Sequence, residues 1–143
     1  MKNLLSVLVM CLFMIVFASC NAKVGKSSKD SGKDRVEVLY FHGKQRCLTC
    51  NAIEKNAKEA VDANFAKELK AGTVVFRVID ISDEKNEKIA DKYEVTWSSL
   101  IVSKWKDGRE QSVNMTNFAF GNARNNPDKF KSTLVEKIQK MLK

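Results

Sequence analysis

The chain is poor in the residues that mark metal and disulfide scaffolds. Its 143 residues include four cysteines, one histidine and one proline. A structural zinc site takes four ligands, commonly from two paired sets, and no second pair exists to match Cys47 and Cys50. The sequence shows no internal repeat and no flavin or nicotinamide fingerprint. Its one long apolar run, residues 4–18, falls short of the about 20 residues a comfortable membrane span needs. The length leaves room for one domain and little else.

What is present begins with a leader. Lys2 precedes the apolar run, and small residues precede Cys20. This is the pattern of an export signal. The stretch "VFASC" resembles a bacterial lipobox, whose cysteine becomes the lipidated N-terminus after cleavage. Residues 1–19 are therefore expected to be a lipoprotein signal peptide, and Cys20 the lipidation site. An ordinary signal peptide or an uncleaved anchor is the plainer alternative. Residues 21–33, "NAKVGKSSKDSGK", are rich in Ser, Gly and Lys and cannot bury a core. With Cys20 and Asp34 they read as a tether, residues 20–34, ahead of a domain at residues 35–143.

The formal charge is +8, and losing residues 1–19 removes one lysine and no acid, leaving +7. The basic residues are spread along the chain and mixed with acids, as in "NAIEKNAKEAVDANFAKELK". Such mixing is the mark of a solvated helix face. No nucleic-acid partner is expected. Weak attraction to anionic lipid headgroups fits better.

Residues 35–41, "RVEVLYF", read as a strand that turns continuously apolar, as one covered on both faces does. Gly43 breaks it. Ile53, Ala57, Ala60, Val61, Phe65 and Leu69 then fall at helical spacing, and Ala71-Gly72 stops the helix. Residues 73–81, "TVVFRVIDI", are the most strand-like run. Ser82 offers an N-cap to a short helix through Ile89, Ala90 and Tyr93. Residues 98–105 form a strand, Lys106-Asp107-Gly108 a hairpin turn, and residues 110–115 the return strand. Asn126 caps a last helix with Pro127 at its first position. The order β-α-β-α-β-β-α predicts an α/β fold, a small mixed sheet with helices on both faces.

In that layout Cys47 lies where a parallel strand ends and a helix begins, the usual place for sites in open α/β sheets. Cys11 leaves with the leader and Cys20 carries lipid, so only Cys47 and Cys50 remain in the domain. A bridge between residues three apart closes too small a loop to serve as a staple. A helix N-terminus, with Arg46 and Lys44 beside it, favours a thiolate. Cys47 is thus expected to attack, and Cys50, one turn on, to resolve the mixed disulfide.

The cysteine pair in this element order, with "DKYEV" before the hairpin and "WKDG" within it, resembles the thioredoxin-like superfamily across residues 35–143. More narrowly, the chain is similar to the thioredoxin-fold lipoproteins of Bacteroidota known as the nitrophenyl compound nitroreductase subunit family. The wider resemblance implies a thiol–disulfide oxidoreductase or electron carrier acting on protein thiols and disulfides. It implies no cofactor and no metal. By analogy with exported relatives, a membrane thiol transporter is a possible electron donor. The tether lacks an acidic cluster after Cys20, which by resemblance to other Bacteroidota lipoproteins points to the periplasmic side of the cell envelope, with the lipid as the membrane contact.

The chain departs from the thioredoxin pattern in three places. Leu48-Thr49 separates the cysteines. Tyr40 stands nearest to the buried acid that accepts a proton in thioredoxins, so transfer would fall to water or His42. Ser99 falls near the position of the proline opposite the cysteines, and a trans bond is expected there. Trp97, just before it, is expected to pack or to flank the site, and Trp105 to pack. The site as read comprises Cys47 and Cys50, supported by Arg46, His42, Ser99 and Trp97. Residues 116–126, "TNFAFGNARNN", read as an irregular loop whose Phe118 and Phe120 either rim the site for a partner or pack beneath the loop. Two other functions compete with the redox one. Cys47, Cys50 and His42 could bind a metal or metalloid, or the domain could be an adaptor whose cysteines matter little.

Overall fold

The computed structural model describes residues 33–143. The expected leader, Cys20 and most of the tether lie outside the described residues. Four strands form one sheet in the order β2-β1-β3-β4. They are β1 (Arg35–His42), β2 (Val74–Asp80), β3 (Ser99–Lys106) and β4 (Arg109–Asn114). β1 pairs parallel with β2 and antiparallel with β3, and β3 pairs antiparallel with β4.

Position in the sheet follows composition. β1 and β3 are interior strands, and each carries an unbroken buried run. An interior strand covered on both faces needs apolar side chains at odd and even positions alike. The edge strands β2 and β4 are mostly half-buried or exposed. The β3–β4 turn is two residues, Asp107 and Gly108, with φ of 51° and 72°. Positive φ at both positions suits the right-handed strand twist, and a glycine takes the second without penalty.

The helices divide between two faces. One face of the sheet is covered by α1 (Leu48–Asn64) and by α5 (Pro127–Leu142). Val38, Tyr40, Leu100 and Val102 meet Ile53, Val61, Phe130, Leu134 and Ile138 there. The other face is a smaller cluster of Leu39, Phe41, Ile79 and Ile101 under Ile89 and Tyr93. Ile89 belongs to α3 (Glu87–Lys92). This is the expected mixed α/β sheet with helices on both faces, the thioredoxin-like arrangement.

Three local expectations are corrected. The long first helix breaks at Phe65, which is buried with φ −130° and ψ 30°. A short α2 (Ala66–Ala71) follows and ends at Gly72, whose φ of 72° makes a left-handed cap. Ser82 does not cap α3. It donates to the Asp80 carboxylate (2.6 Å), while Asp83 caps the 3-10 turn Glu84–Asn86 that precedes α3. Last, residues 116–126 are not an irregular loop, for α4 (Thr116–Asn122) occupies most of them. Asn122, which read as a turn residue, donates to the Phe118 carbonyl within the helix, and Asn114, just ahead of the segment, accepts from the Thr116 N–H at its start. Buried Met115, Ala119 and Ala123 hold α4 to the core, and buried Asn56 of α1 donates to the Ala123 carbonyl (2.7 Å). Among the described residues, no helix is long and apolar enough to cross a membrane.

Candidate active site

β1 delivers the chain to the end of the sheet at His42, and α1 starts after a five-residue connection, residues 43–47. Cys47 is the N-cap of α1, in extended geometry with φ −76° and ψ 166°. Its Sγ accepts the Cys50 backbone N–H at 3.1 Å. That sulfur therefore takes the place of the oxygen that ordinarily satisfies a helix's first unpaired donors. Cys47 is exposed and Cys50 is buried, and both are free thiols. Leu48, between them, is largely solvent-exposed.

The geometry separates the two sulfurs by access. Cys47 can be reached by a partner, whereas Cys50 is 6% exposed and reachable chiefly from Cys47. Burial pushes the Cys50 thiol up. Its interactions with Cys47 and with the Ser98 side chain outweigh that effect and leave it below the ordinary thiol range. Tyr40, wholly buried, donates its hydroxyl to the Cys50 carbonyl at 2.8 Å. Burial holds the Tyr40 hydroxyl above its usual range, against the opposing influence of Arg46. Tyr40 is therefore a fixed donor that anchors the first turn of α1, and it does not replace the acid of thioredoxins as a proton acceptor.

An open depression of about 410 Å³ surrounds the sulfurs. Cys47 and Cys50 line it together with Ile81, Trp97, Ser98 and Phe120. Trp97 is 55% exposed and its ring lies 5.2 Å from that of Phe120, centre to centre. Trp97 thus flanks the site. Trp105 lies at the far end of β3, with its ring between Arg35 and Lys92.

The supporting residues separate on inspection. Arg46 turns to Glu54, with which it forms a hydrogen-bonded ion pair, and stacks over the Tyr40 ring at 5.8 Å. It is absent from the lining of the depression. His42 is likewise absent from that lining, and its Nδ1 lies 2.9 Å from the Gly43 carbonyl. Ser99 is displaced from the expected position. It sits on β3 opposite Phe41, on the smaller-core face, and donates to the Trp97 carbonyl (3.1 Å). Its neighbour Ser98 lines the depression instead. Alternate residues of an extended chain point to opposite sides, so a one-residue slip exchanges one serine for the other. The "SS" dipeptide offers no sequence signal to choose between them. All described peptide bonds are trans.

The two phenylalanines also part company. Phe118 stacks on Phe130 at 6.2 Å and 13° and packs against the main core. Phe120, two residues on, reaches both that core and the depression. Among the described residues, no three or more His, Cys, Asp or Glu side chains cluster so as to hold a metal ion.

Compared with known proteins, the chain matches no protein family and no curated protein. Among the solved structures that are similar, three illustrate the low identity. A malarial protein is 18% identical with a TM-score of 0.45, over 73% of this chain and 97% of its own. A thioredoxin from Thermus thermophilus is 17% identical with a TM-score of 0.42, over 71% of this chain and 75% of its own. A Trichomonas vaginalis thioredoxin is 16% identical with a TM-score of 0.45, over 71% and 78%. Likenesses of this degree carry no argument about chemistry, which rests on the site itself.

Proposed function

We propose that this chain is a thiol–disulfide oxidoreductase or electron carrier that works through Cys47 and Cys50. One observation carries the reading. An exposed sulfur caps a helix and accepts a backbone N–H, with a second, buried thiol one turn behind it. A thiolate attacks disulfides, and positive helix-terminal charge favours it. The Cys47 thiolate attacks one sulfur of a partner disulfide. That S–S bond breaks, a mixed disulfide forms at Cys47, and the partner's other sulfur leaves as a thiolate and takes up a proton. The Cys50 thiol gives its proton to water in the depression and attacks Cys47 Sγ. The Cys47–Cys50 disulfide forms and the partner's second thiol is released. The second partner sulfur likewise leaves as a thiolate and takes a proton from water. The partner gains two electrons and two protons. The protein gives up two electrons and two protons, one on ionisation of Cys47 and one from Cys50, with water as the intermediary. The reverse sequence oxidises a dithiol.

The substrate class is protein thiols and disulfides, consistent with an open depression having an aromatic rim. Export, acylation at Cys20 and a periplasm-facing position on a membrane belong to the same proposal, supported by the sequence pattern of residues 1–20. A membrane thiol transporter is the donor proposed if the protein reduces. The deciding experiment is insulin-disulfide reduction with wild type, Cys47→Ser and Cys50→Ser. Loss of turnover in both, with mixed disulfides accumulating only in Cys50→Ser, is expected. Undiminished exchange in Cys47→Ser would refute the reading. The reduction potential then gives the direction. A value near about −270 mV implies a reductant and one near about −120 mV an oxidant.

A further inference from the structure

The chain enters the domain at the end of the sheet opposite the cysteines, and this end carries its own surface. Lys33 donates to the Ala71 carbonyl at 2.6 Å, and Asp34 accepts the Asp107 N–H of the β3–β4 turn at 3.0 Å. These contacts fix where the segment that precedes β1 emerges. Strand β1 then runs its length to His42, about 25 Å away at ~3.3 Å per residue.

A cleft of about 190 Å³ opens at this end. Met141 and Leu142 supply its apolar side chains, Trp105 borders it with its ring turned to the other face of the sheet beside Arg35 and Lys92, and Lys104, Lys106 and Lys143 stand around it. Leu142 is 37% exposed. Arg109 faces Lys106 across the turn, and Lys70 lies in the last turn of α2. Of the acids nearby, Asp107 stands exposed in the turn, and three others are engaged. Asp34 holds the turn, Glu37 pairs with Arg35, and Glu110 pairs with Lys92. Cations ringed about exposed apolar carbon are the chemistry of an anionic bilayer surface, where phosphates meet acyl chains. A small soluble anion would use the cations and leave the leucine without a role.

We infer that this end of the domain docks on an anionic membrane surface, with Cys47 facing away from it. The inference rests on the tethered reading above. Residues 21–33 span at most about 45 Å even when fully extended. Anchorage at Cys20, or by residues 4–18, therefore keeps the cleft within reach of the lipid. Docking places the cysteines on the aqueous side, open to soluble partners.

The two tryptophans report the orientation. Trp105 lies at the cleft end of the sheet and Trp97 lines the cysteine depression. The full chain, purified from bacterial membranes, is reconstituted into phosphatidylcholine vesicles with or without phosphatidylglycerol and a headgroup-spin-labelled lipid. Emission is compared in Trp97→Phe and Trp105→Phe. The signal from Trp105 should be quenched and that from Trp97 spared, in anionic vesicles only. About 1 M salt, where the screening length falls to ~3 Å, should remove the difference. Lys104→Glu with Lys106→Glu should do the same, whereas Lys55→Glu with Lys88→Glu, an equal charge change elsewhere, should not. Protein that floats with the vesicles but shows equal quenching of both tryptophans overturns the docking alone. Protein that fails to float overturns anchorage and docking together. Insulin reduction by the same samples tests the redox reading separately.

Discussion

The two ends of β1 spend their charge differently. At the cysteine end the nearest cation, Arg46, is paired with Glu54 and stacked on Tyr40. The immediate electrostatic support for Cys47 is a backbone N–H. At the opposite end Lys104 and Lys106 stand beside apolar side chains, with no ion pair among the described residues. The first N–H groups of a helix need acceptors in fixed positions, and the exposed Cys47 sulfur is held in place by accepting the one from Cys50. The proposed docking on a diffuse anionic surface needs no such precision. The net charge of the sequence is therefore uninformative about the catalytic end.

The largest expected effect tests whether chemistry is confined to one end. Cys47→Ser should abolish disulfide exchange and leave vesicle docking unchanged. Exchange that survives, or docking that fails, would break the separation. Next come the paired phenylalanines. Phe118→Ser should cost about 2–3 kcal/mol, a partly buried version of an aromatic core truncation, measured by urea unfolding. Phe120→Ser should slow exchange with a protein disulfide more than with oxidised glutathione while changing stability less than Phe118→Ser. Equal stability losses would make both rings packing residues.

A smaller effect is expected at Ser98. Burial raises the Cys50 thiol, and contact with Cys47 and Ser98 lowers it more. Ser98→Ala removes one lowering influence, so the pH at which Cys50 resolves a mixed disulfide should move upward. Ser99→Ala should leave that pH profile in place. The reverse ranking would restore Ser99 to the site. The smallest effect belongs to Arg46→Ala. Its partly exposed ion pair with Glu54 should contribute no more than about 1 kcal/mol to stability, read from the same urea titration. A loss of several kcal/mol would show that the stack on Tyr40 holds the first turn of α1.

Much of this organisation is legible without coordinates. The continuous apolar run of residues 35–41 marks an interior strand because both faces of that strand must be buried. The change from that run to 3.6-residue spacing after Cys50 places the cysteines at a strand–helix junction. Asp107-Gly108 specifies its own turn, since few residues accept positive φ twice in succession. The sequence also names both cysteines and the aromatic candidates around them. It misreads residues 116–126, because asparagine and glycine weigh against helix locally while Met115, Ala119 and Ala123 bury a helical stripe. That burial exists only once α1 and α5 are in place.

The amino-acid sequence by itself determines the local periods, the breaks at Gly43, Gly72 and Gly108, and the pairing of an N-cap position with a thiol. These depend on neighbours a few residues apart. Only the tertiary structure decides that Ser98 rather than Ser99 faces Cys50, that Phe120 joins Trp97 while Phe118 joins Phe130, and that Arg46 is taken up by Glu54. Each choice turns on a rotation of one residue about a strand or a helix. Residues distant in the chain fix that rotation by packing, and no local propensity carries the information.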